Sequence, residues 1–119
     1  MIAKLLTAAI MIASLAGPGS AAGCDTANTD GAVAEGRLIV RDDAFILRMP
    51  EGLCLEGEGE FDNVDETSEV HVFGADDAVQ GELKGLAGKD VHLRGRLMGA
   101  HTQHHKAPII MEVSEADAI

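Results

Sequence analysis

The chain has 119 residues, 20 of them acidic against 9 basic, for a formal charge of −11. That length suits one domain with one modest core, and the negative charge repels phosphate backbones and anionic headgroups, which excludes nucleic acid as a partner. Three Phe with no Trp or Tyr also leave little on which bases could stack.

The first element is a leader. Met1 to Lys4 carries one positive charge, Leu5 to Ala16 is apolar, and Gly17, Pro18 and Gly19 break the run. An apolar stretch of this length is that of a signal peptide and falls short of the roughly 20 residues needed to span a bilayer. Residues 1–22 are therefore predicted to be a cleavable signal peptide, with small residues at Ser20, Ala21 and Ala22 for the peptidase, and the mature protein is expected in the periplasm or secreted. Removal of Lys4 takes the formal charge to −12. An alternative uses Ala21, Ala22, Gly23 and Cys24 as a loose lipobox, making the protein a lipoprotein anchored at Cys24.

Residues 23–31 are small and polar and are expected to form a flexible tether. From Val33 to Arg41, and again from Ala44 through Phe45, Leu47 and Met49, apolar residues alternate, predicting two strands joined by a tight turn at Asp42 and Asp43. Pro50, Glu51 and Gly52 mark a turn or bend, and Leu53 to Leu55 a short extended piece. Glu56 to Glu69 holds seven acids and no base, the composition of a solvated loop. Glu69 to Phe73 is a third strand ended by Gly74. Asp76 then suits a helix N-cap ahead of Val79, Leu83 and Leu86 on one helical face, closed at Gly88. In Asp90 to Met98, Val91, Leu93 and Leu97 face one way and His92, Arg94, Arg96 and Met98 the other, with Gly95 marking a bulge. A loop to Pro108 leads to a fifth strand at Ile109 to Val113, and residues 115–119 are expected to fray as a tail. Five strands with one short helix between the third and fourth predict a mainly β domain over residues 32–114: a five-stranded Greek-key barrel like the OB-fold.

The mature chain keeps two cysteines, Cys24 and Cys54, and an oxidising compartment favours a disulfide between them. Cys-x-x-Cys spacing, the usual mark of redox or metal chemistry, is missing.

From Leu86 to Met111 the sequence, with Gly88, Lys89, His101, Thr102, His104 and His105, resembles an uncharacterised domain-of-unknown-function family (number forty-four thirty-one) of small secreted bacterial proteins with a C-terminal His-Thr-x-His-His loop. Cys24 and Cys54 also match its pattern. Lys106 and Gln103 stand where the family usually places a histidine and a glycine. The resemblance implies secretion and a small β-barrel and implies no activity.

Only Ser68 and Ser114 could serve as serine nucleophiles after residue 22, neither in a strand-to-helix elbow, and no glycine-rich phosphate loop precedes the helix. The expectation is a non-catalytic binding or interaction module, with an unidentified protein or small ligand as partner. OB-folds bind through one barrel face and the loops flanking it. Here those loops hold Asp42 and Asp43, and His101, His104 and His105. The alternative function is therefore a weak site for zinc, copper or nickel, with the imidazoles as ligands and Asp42 or Asp43 lending a carboxylate. Otherwise the histidines pin the loop by bonding to backbone groups. His71 and His92, each alone in a strand, are expected to be surface or packing residues.

Overall fold

A computed structural model describes residues 24–59, 62–100 and 105–119; the signal peptide expected at residues 1–22 lies outside them. The elements run β1 (Asp25–Thr26), β2 (Ala32–Arg41), β3 (Ala44–Glu56), β4 (Val64–Gly74), α1 (Asp77–Leu86), β5 (Asp90–Gly99) and β6 (Ile109–Ala118). β2 pairs antiparallel with both β3 and β5, β5 with β6 and β3 with β4, while β4 and β6 pair in parallel and close the ring. The result is the expected five-stranded Greek-key barrel, with one short helix between its third and fourth strands.

Alternation builds the core. Leu38 pairs with Leu47 across β2 and β3, and Leu97 with Met111 across β5 and β6; all four point inward and are fully buried. α1 packs against β4 and β6 and adds Val79 and Leu83 to the interior. Its start is fixed by the Asp76 side chain, which accepts the Val79 N–H at 2.9 Å. Its exit is tied to β2, where the Leu38 carbonyl accepts the Gly88 N–H and the Leu38 N–H donates to Lys89. Gly95 sits at a register shift between β5 and β6, where a Cβ would collide with the Glu112 carbonyl oxygen. The turn between β2 and β3 holds both Asp42 and Asp43 at positive φ, the sign pattern of a type I′ hairpin.

Four expected boundaries differ. β3 does not stop at Met49: Pro50 to Gly52 forms a bulge within one strand, between the pairs Arg48–Glu69 and Leu53–Thr67, where proline's missing N–H disrupts no ladder. The second half of the acidic run is strand, because β4 begins at Val64 and only one of its faces needs to be apolar. Residues 25–26 pair with Leu55 and Glu56, and Ala27 is buried, so the expected tether is docked on the barrel. Finally, β6 runs to Ala118, opposite Val91, where small and acidic residues give no hydrophobic signal yet the backbone still pairs.

Candidate functional site

Two regions of the surface differ in how they treat apolar residues, and the first is the outer face of β3 and β4. Pairing places Ile46 beside His71, His71 beside Ile110, and Ile110 beside Met98, so a row of side chains crosses four strands on the outside of the barrel. Outward residues of a barrel normally meet water, but Ile46 is 0% and Ile110 2% exposed. Arg41 on β2 and Glu69 on β4 reach across β3, outside Ile46, in a bidentate ion pair of 2.8 and 2.7 Å, joined by Arg48 at 3.3 Å. The Arg41 hydrogen bond holds the Glu69 carboxyl down at about 2, against the opposing effect of its partial burial.

Residues 105 and 106, shortly before β6, lie against His71. The Lys106 N–H donates to His71 Nδ1 at 3.2 Å, the His105 ring stands edge-on to the His71 ring at 5.7 Å, and Ala107 is buried. Burial lowers the His71 pKa, and the positive charges that His105 and Lys106 can present lower it further. A neutral His71 whose Nδ1 accepts a hydrogen bond carries its proton on Nε2, the nitrogen a metal would otherwise take. His71 is thus a backbone-pinning histidine, a role sequence reasoning gave to the loop's own histidines.

Of the predicted metal ligands, His101 and His104 lie outside the described residues. His105 sits over His71. Asp42 and Asp43 form the hairpin turn, with Asp43 three residues from Ile46, roughly 10 Å along the strand from the histidine row. Among the described residues no group of three or more His, Cys, Asp or Glu side chains could hold a metal ion. Cys24 and Cys54 are joined in the expected disulfide, 30 residues apart in sequence. No described helix is long and apolar enough to cross a membrane.

The second region is a cleft that sequence reasoning missed. β2 pairs with β3 only from Arg37 to Arg41, and from Ala32 to Arg37 it turns away to pair with β5. The strands part at Gly36, where a Cβ would strike the Arg48 carbonyl oxygen. Beyond that point lies a cleft of about 610 Å³, lined by Val33, Ala34, Glu35, Gly36, Met49, Pro50, Glu51, Gly52, Asp90 and Ile119. It adjoins a smaller one of about 470 Å³ that reaches Arg37, Arg48 and Ser68. Val33 is 41% and Ile119 73% exposed, two of the three large hydrophobic residues left open among the described residues. The flanking ionic groups are engaged with one another: Arg37 with Asp90 at 3.0 Å, Arg48 with Glu69 at 3.3 Å, and Glu35 with His92 at 2.6 Å. Residues from three strands and Ile119 line the larger cleft, so no local motif could announce the site.

Comparison with known proteins adds one relationship. Residues 69–117 match the family model for a domain of unknown function, DUF4431. The match bears out the family resemblance seen from residue 86 onward. The DUF4431 segment supplies most of β4, all of α1 and β5, and nearly all of β6, whereas the β2 and β3 walls of the cleft precede it. No curated protein and no solved structure matches the chain.

Proposed function

We propose that the protein is an exported, non-catalytic binding module whose ligand lies in the cleft between β2 and β3. The observation that carries this reading is the cleft itself, of ligand-binding size and open at Val33 and Ile119 on a chain otherwise strongly charged. Its charged neighbours are held in ion pairs, which suits positioning a ligand better than moving a proton. The disulfide supports export, because such bonds persist in oxidising compartments. It also uses the Cys24 sulfur that lipid attachment would need, favouring cleavage by an ordinary signal peptidase over lipoprotein processing.

The test is a fragment screen followed by amide chemical shifts on the oxidised protein. Hits should cluster at Val33, Gly36, Met49 and Ile119. Hits confined to the face around His71 would overturn the cleft as the site.

A further inference from the structure

We infer that the cleft binds an extended, basic peptide segment by strand addition, an inference that rests on the cleft being the binding site. Successive backbone groups of a strand point alternately to its two sides. From Ala32 to Gly36, β2 has a partner strand, β5, on one side only, so the side facing the cleft is an open edge. Across the cleft, Met49 to Gly52 of β3 fall between the ladder pairs Arg48–Glu69 and Leu53–Thr67. An extended peptide laid along β2 would meet main-chain partners on that edge, and its alternate side chains would contact the apolar surface of Val33, Met49 and Pro50.

Charge selects the occupant. Arg37 is paired with Asp90 and Arg48 with Glu69, so the cations nearby are already neutralised, while Glu51, and Glu35 with one carboxylate oxygen on His92, line the opening of a protein with net charge −11. A second copy of the chain would bring like charge against like charge along this edge, whereas a lysine- or arginine-bearing strand would be attracted to it and steered in. The cleft therefore fits a peptide alternating basic and apolar residues.

The experiment titrates the oxidised protein with acetyl-Lys-Val-Lys-Val-Lys-Val-amide, reading amide shifts and hydrogen exchange. The expected result is saturable binding with slowed exchange at residues 32–36. The Glu-Val counterpart and a version N-methylated at alternate residues should each bind at least about tenfold more weakly. Val33→Lys should weaken binding to a similar degree with an unchanged circular dichroism spectrum. Equal binding of the N-methylated peptide would overturn strand addition while leaving the cleft as a site. No binding by any of these peptides, or protection of residues 32–36 by self-association without peptide, would overturn the inference, and the fragment screen separately decides the cleft.

Discussion

The two sides of β3 treat apolar residues in opposite ways. Toward β4, Ile46 and Ile110 point out of the barrel yet are buried, beside the Arg41–Glu69 pair that bridges β3 and the Lys106 backbone that is bonded to His71. Toward the first half of β2, Val33 and Ile119 stay open. The face that carries ligands in many OB-folds is here closed by the chain's own groups, and the exposed apolar surface has moved to the seam where two strands separate. Burial on the first side contributes to stability; exposure on the second leaves apolar surface in water, the surface proposed for a ligand.

The largest effect should come from releasing the segment that ends in the disulfide. Replacing Cys24 and Cys54 together by Ala frees a 30-residue loop and is expected to lower unfolding free energy by about 3 to 4 kcal/mol, measured by urea titration. Close behind, Ile46→Ala should cost about 3 kcal/mol although its side chain faces outward, whereas Val33→Ala should change stability by less than about 0.5 kcal/mol. Equal losses at the two positions would erase the comparison.

Those expectations also mark what the sequence could reveal. The alternation in β2 and β5, the Asp76 cap, the Asp42–Asp43 turn and the Gly95 bulge are local signals, and each appears in the fold. Hidden from it were features that depend on distant partners: β3 continues through Pro50 because no ladder bond is needed there, and residues 114–118 are strand because β5 lies beside them. The candidate site was less legible than the fold. His71 looks like a lone strand histidine until a loop 35 residues away is folded onto it, and the cleft unites Val33 with Ile119.

Smaller effects sharpen the roofed side. Glu69→Gln should cost about 1 kcal/mol near neutral pH, since the network is only partly exposed. With its folded pKa lowered to about 2, the Glu69 contribution is present above about pH 4.5 and disappears as pH falls through 2, so wild-type and variant denaturation curves should converge over that range. His71, also lowered, contributes stability that is present above about pH 6.5 and is lost as pH falls through its folded pKa. Its NMR titration midpoint should lie below 6.5, and exchange of the Lys106 amide should quicken as the ring is protonated and Nδ1 ceases to accept. Smallest of all, Asp43→Gly should stabilise the protein by about 0.5 to 1 kcal/mol, because glycine takes up the positive φ of that turn position without steric penalty. A thermal melt of this variant checks the turn geometry without touching either face.

The parallel union of β4 and β6 bears on how the chain matures. Until residues 109–118 are synthesised, β4 and β5 each present a bare hydrogen-bonding edge flanked by inward-facing valines and leucines. Premature termination before Ile109 would therefore yield a sheet with two sticky borders, a template for pairing between chains. Such a fragment is expected to aggregate rather than persist as a weakened monomer.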